Sequence, residues 1–165
     1  MDCVRPYQPE LASTFGEVND VEMLSRIVSS PSHMGKDRIK ASAIPNSHIR
    51  TGLSLVRMGF LPKRQFDEIA YAISATLGNA NVPAGVIQAS AGALRAFLDA
   101  TGEEALCIFD DATRESEIMP ENMAHSIAIQ KFDYTEDQIV GIKTELMEVV
   151  FTQMIKLESL THPDS

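Results

Sequence analysis

The 165-residue sequence predicts an all-α protein, a single-domain bundle of five to seven helices built around a central Gly/Ala-rich helical hairpin from Pro62 to Gly102. Three observations predict it. Phe66, Ile69, Ala70, Ile73 and Leu77 step at three and four residues, the spacing of one apolar helix face, between Pro62 and Gly78. At 100° per residue, Pro83 to Gly102 sorts its bulky side chains (Val86, Ile87, Leu94, Phe97, Leu98) onto one face. Its small residues (Gly85, Ala89, Gly92, Ala96, Ala100) fall along another, a pattern suited to close approach of a neighbouring backbone. Finally, Thr135 with Gln138 spells a capping box ahead of an apolar-rich run reaching Leu160.

Taken in order, residues 1–18 hold Pro6, Pro9 and Gly16 with little periodicity and read as an irregular arm. Residues 19–160 form the expected all-α domain, and residues 161–165 a frayed tail. Asn19 and Glu22 make a cap-box-like pair before Val21, Leu24, Ile27 and Val28, which marks a short helix ending near Ser29. The following stretch, from Ser29 to Ser47, is a long loop of the kind that is often functional. Asn46 or Ser47 then caps a helix carrying Ile49, Leu53 and Val56, stopped at Gly59 by a Schellman-type turn. Pro62 starts the next helix at its first position, and the turn from Gly78 to Val82 folds it against the helix from Pro83.

After Gly102 the apolar run Leu106 to Phe109 fits either the end of a short helix or a buried extended piece, with helix preferred. Pro120 opens a further helix with Met123, Ala124, Ile127 and Ala128 inward. From Thr135 a helix of about 25 residues is expected, with Glu136 and Asp137 in the first turn where the helix dipole favours acids. Its apolar residues cover far more than the ~100° arc of a one-sided helix, so more than one neighbour has to cover it. That excess makes Ile139, Ile142, Leu146, Val149, Val150, Met154 and Leu157 the candidate surface of a homodimer.

Composition bounds the function classes. The net charge of −9 is unevenly spread: residues 26–64 carry +7 and residues 103–165 carry −10. The basic segment therefore faces an external anion or lies against the acidic half of the chain or of a partner. Its candidate anion-binding residues are Lys36, Arg38, Lys40, Arg50, Lys63 and Arg64. The stretch from Ser47 to Leu77 also has the outline of a helix-turn-helix, but the acidic balance of the chain argues against nucleic acid. Two cysteines, Cys3 and Cys107, give neither a disulfide framework nor a metal spacing. Cys107 reads as a small core residue, and the expected compartment is a reducing cytoplasm.

The four histidines are scattered, and Glu121 with His125 is a surface pair at helical spacing rather than a metal site. The acidic run from Asp110 does not fit a calcium loop, since Glu115 falls where Gly is required. No metal, cofactor, nucleophile elbow or phosphate-binding glycine motif is legible, and no run is long and apolar enough for a membrane span. Three functional expectations follow. The first is a non-enzymatic, homodimeric interaction or regulatory protein. The second is an anion-binding module through segment 36–64, and the third is a small-molecule binder or enzyme with a pocket beneath the 29–47 loop.

Overall fold

The computed structural model describes residues 2–36 and 38–163 and replaces the expected helical bundle with a six-stranded antiparallel sheet in the order β4-β5-β2-β1-β3-β6. The elements run β1 (Met23–Ser30), α1 (Asn46–Thr51), β2 (Leu53–Arg57), α2 (Lys63–Thr76), β3 (Val82–Ser90), α3 (Ala91–Arg95), β4 (Leu106–Asp110), β5 (His125–Gln130), α4 (Glu136–Glu145) and β6 (Met154–Lys156). Residues 2–18 carry neither helix nor strand. The expected tail lies partly outside the described residues, at positions 164 and 165.

The correction to mixed α/β has one physical source. Strands β1 and β3 are covered on both faces, so their sequences are near-continuous apolar runs instead of alternating ones, and such runs resemble buried helix by periodicity. Residues 82–90 of the expected core helix are extended and pair with β1 on one side and β6 on the other. Only Ala91–Arg95 remains helical, capped by the Ser90 hydroxyl, which accepts from the Ala93 N–H.

The short helix expected after Asn19 is β1 instead. Its local signal is nonetheless present, because Glu22 Oε1 accepts the Asn19 N–H at 2.9 Å, but this turn feeds a strand. The helix expected over 47–58 stops at Thr51, where Gly52 at φ 120° turns the chain into β2. That strand separates α1 from α2, so there is no helix-turn-helix between Ser47 and Leu77. The helix expected from Pro120 is a loop followed by β5, and the Leu106 to Phe109 run is extended.

Two helices form where their local signals place them. Helix α2 follows Pro62, buries Phe66, Ile69 and Ala70, and ends before Gly78 at φ 111°. Thr135 and Gln138 form both bonds of a capping box at the head of α4. That helix does not reach Leu160, however. It passes into a wide π turn over Leu146–Val150 and then into β6, so no single 25-residue rod carries the apolar arc of residues 139–157.

The sheet register sorts side chains into two layers. One face sets Leu24, Val28, Leu53, Leu55, Ile87, Ile108 and Ala128 against Ile49 of α1, Leu94 of α3 and Ile139 and Ile142 of α4. The other sets Ile27, Val56 and Val86 against Phe66, Ile69 and Ala70 of α2. Helix α2 links β2 to β3, which run parallel to each other with β1 between them, a split βαβ unit. It covers β1 and β3 but leaves the β4–β5 end of its face to the N-terminal arm.

That arm is tied down covalently. Cys3 and Cys107 form a disulfide, which corrects the reading of Cys107 as a free core thiol. Arg5 lies over the Phe109 ring at 5.2 Å and donates to the Asp110 carbonyl, and the Tyr7 hydroxyl donates to Asp111 at 3.2 Å. Among the described residues, no helix is long and apolar enough to cross a membrane.

A candidate anion pocket between α2 and the N-terminal arm

The gap between α2 and the arm is a cavity of about 440 Å³, floored by Ser25, Ile27, Ser54 and Val56 and walled by Ile73 of α2 and by Leu77, the residue that follows the helix. Glu10 of the arm and Arg114, Met119 and Asn122 of the loop between β4 and β5 close the other side. Three of the four histidines, His33, His48 and His125, reach this one cavity together with Arg26.

Arg26 holds the polar end. Strands β1 and β2 pair only at Leu24↔Arg57 and Ser25↔Val56, and beyond that point they part. The guanidinium fills the split: Nη1 donates to the Ser54 carbonyl at 3.2 Å, Nε to the Ala43 carbonyl at 3.1 Å, and Nη2 to Nδ1 of His48 at 3.3 Å. Three of its five N–H groups are thereby used, and one remains on each terminal nitrogen, able to donate to a carboxylate or phosphate.

No carboxylate among the described residues lies within ion-pair distance of Arg26, although its exposure is only 8%. Arg57, the other buried arginine at 0%, shows the contrast. It bonds Glu22 at 2.6 Å and Asp110 at 2.9 Å and caps the carbonyls of Gly16 and Glu17. Burial lowers Arg26 to about 10, still charged at neutral pH.

The histidines divide into two kinds. Nδ1 of His33 accepts the Ser29 N–H at 3.1 Å and Nδ1 of His48 accepts from Arg26, so each ring carries its proton on Nε2. Burial first, and the Arg26 charge second, hold both imidazoles below the ordinary histidine range. His125 is the opposite tautomer. Its Nδ1–H donates to the Asp111 carbonyl at 2.7 Å, with the Asp111 carboxylate 3.2 Å away, and this leaves Nε2 as the acceptor. It is therefore partnered by Asp111, not by Glu121 as helical spacing suggests.

The sequence candidates lie elsewhere. Lys63 pairs with Asp67, Arg64 with Glu68 and Arg50 with Glu136, and Lys40 donates to the Pro31 carbonyl. Lys36 and Arg38 are exposed on a turn in which the Gly35 N–H meets the Arg38 carbonyl. Of the interface candidates, Ile139, Ile142 and Leu146 are buried in the chain's own core, Val149 is exposed, and Val150, Met154 and Leu157 are half-buried on separate elements.

Sequence reasoning missed Arg26, His33, His48, His125 and Asp111. One signal was available: Arg26 interrupts the apolar run of β1, and a charge inside a buried run calls for a partner or a ligand. The meeting of residues 26, 33, 48, 111 and 125 is a product of strand order, which spacing does not encode. Comparison with known proteins returns no match: no family model fits the chain, and no curated protein or solved structure is detectably similar to it.

Proposed function

We propose that this chain is a receptor for a small organic monoanion, whose charged group Arg26 takes up while its apolar body lies against Ile73, Leu77 and Met119. The observation that carries this reading is the buried guanidinium with two open N–H groups and no carboxylate partner among the described residues. Burying an unpaired charge costs several kcal/mol, and an anion in the cavity would offset that cost. Charge adds support: the opposite charges of Glu10 and Arg114, neighbours on one wall where the Arg114 backbone N–H donates to the Glu10 carboxylate, offset each other, and the imidazoles of His33 and His48 are held neutral, so one positive charge remains to be matched. A volume of about 440 Å³ is that of a small-molecule site, and it sits where the 29–47 loop contributes His33 and the Ala43 carbonyl.

Titration calorimetry with benzoate and with diphenyl phosphate tests this reading. Binding of at least one of them at about 1 mM or tighter is expected, with a loss of tenfold or more in Arg26→Met. A folded wild-type protein that takes up neither anion would remove the proposal.

A further inference from the structure

Resting on that reading, we infer that the pocket is also catalytic: His125 is a general base that hydrolyses a small phosphate diester bound at Arg26. The argument begins with register. Val56 pairs with His125 on one side and with Ser25 on the other, so Ser25, Val56 and His125 form one row across three strands. Two strand spacings put the His125 Cα about 10 Å from that of Ser25, the neighbour of Arg26. Arg26 leaves β1 on the face opposite Ser25, and its guanidinium, bonded to the Ser54 carbonyl, enters the cavity through the gap between β1 and β2. His125 lines the same cavity, and catalysis requires a diester on the guanidinium to bring its phosphorus to Nε2 through one water.

The base is oriented as such a role requires. Asp111, which is buried, fixes the Nδ1–H tautomer of His125 and is itself held by Arg5 and Tyr7. Its carboxylate, 3.2 Å from Nδ1, is placed to stabilise the imidazolium formed when Nε2 takes a proton. On the other side, His33 and His48 present Nε2–H donors with no partner among the described residues, and the open guanidinium N–H groups add two more. These donors suit an anion with several oxygens that gains charge on them as it is attacked.

A diester is favoured over a carboxylate substrate because its charged group is itself the electrophile. The anion that Arg26 binds is then the centre that the His125-activated water attacks. In the step, Nε2 accepts a proton from water as the water oxygen bonds to phosphorus. The bond from phosphorus to the leaving oxygen breaks, and the proton passes from the imidazolium to that oxygen. The products are an alcohol or phenol and a phosphate monoester, the sum of diester and water.

The test uses bis(4-nitrophenyl) phosphate as substrate and diphenyl phosphate as the stable binding probe, both on the full chain. Hydrolysis above the buffer rate is expected, falling about 100-fold or more in His125→Asn, whose amide can keep the bond to Asp111 but offers no base. Diphenyl phosphate affinity should stay within about threefold, and it serves as the check of folding, with His125→Gln as the second variant. Asp111→Asn should lower kcat with KM unchanged, the mark of a positioning residue. If diphenyl phosphate binds and no hydrolysis occurs, or if hydrolysis survives in His125→Asn, the catalytic inference is overturned while the anion reading stands. If neither diester binds, the catalytic inference falls, and the anion reading falls with it only when benzoate also fails to bind.

Discussion

Nη2 of Arg26 donates to Nδ1 of His48 at 3.3 Å, so the cation and the imidazole beside it share one hydrogen bond and His48 must stay neutral to accept it. His33, also depressed by burial and by Arg26, is neutral for the same reason. An unfolded chain protonates its histidines near pH 6.5, whereas the native state resists down to a lower pH. The unfolded state therefore binds more protons as pH falls. The stability these two groups contribute is present above about pH 6.5 and is lost as pH drops through their native values. Urea unfolding at pH 7.5 and pH 5 should show the loss, and nitrogen-detected NMR should place the proton of both rings on Nε2. In Arg26→Met both imidazoles should titrate at higher pH than in the wild type, and unchanged midpoints would refute the coupling.

Arg57 is the structural counterpart of Arg26. With its guanidinium fully buried against Glu22 and Asp110 and several carbonyls, truncation to Met leaves two carboxylates without their cation. A loss of about 3–5 kcal/mol is expected in chemical denaturation. Burial pushes the Glu22 carboxyl up, but the hydrogen bonds from Arg57 and Asn19 outweigh it, so the net shift is downward. Its contribution is therefore held above the ordinary carboxylate range and lost in acid.

The Cys3–Cys107 bond closes a loop between positions 104 residues apart and fastens the arm over β4. Removing it with Cys3→Ser and Cys107→Ser together should cost about 2–5 kcal/mol and expose the arm to limited proteolysis. Protease resistance equal to that of the oxidised wild type would mean that Arg5, Tyr7 and Ser13 hold the arm unaided.

Gly85 tests the β3–β6 edge. A Cβ there would collide with the backbone carbonyl of Ile155, which has no side-chain freedom to give way, and crowd the Met154 side chain. Gly85→Ala should therefore detach β6, raising amide exchange at 154–156 while α2 stays protected. A destabilisation of about 1–3 kcal/mol is expected, in the range of an overpacked site. Uniform protection across both segments would show that β6 shifts to make room.

What was legible was local. Helix α2 follows from a one-sided apolar stripe between Pro62 and Gly78, and the head of α4 from the Thr135–Gln138 box, because each depends on groups within one or two helical turns. The need for close backbone approach at Gly85 and Gly92 was also legible. The partners are the β6 backbone and Asp20, however, and not a second helix.

Residues 23–30 and 82–90 show why the rest was not. A strand buried on both faces spells an apolar run, and whether such a run coils or extends depends on neighbours far away in the chain: β1 needs β2 and β3, and β3 needs β6. The sequence alone determined the charge imbalance, the Thr135–Gln138 cap and the one amphipathic helix. The tertiary structure decided the sheet, the disulfide and the pocket. Hydrogen bonds between distant strands set the strand order, and only that order draws Arg26, His33, His48 and His125 to one cavity.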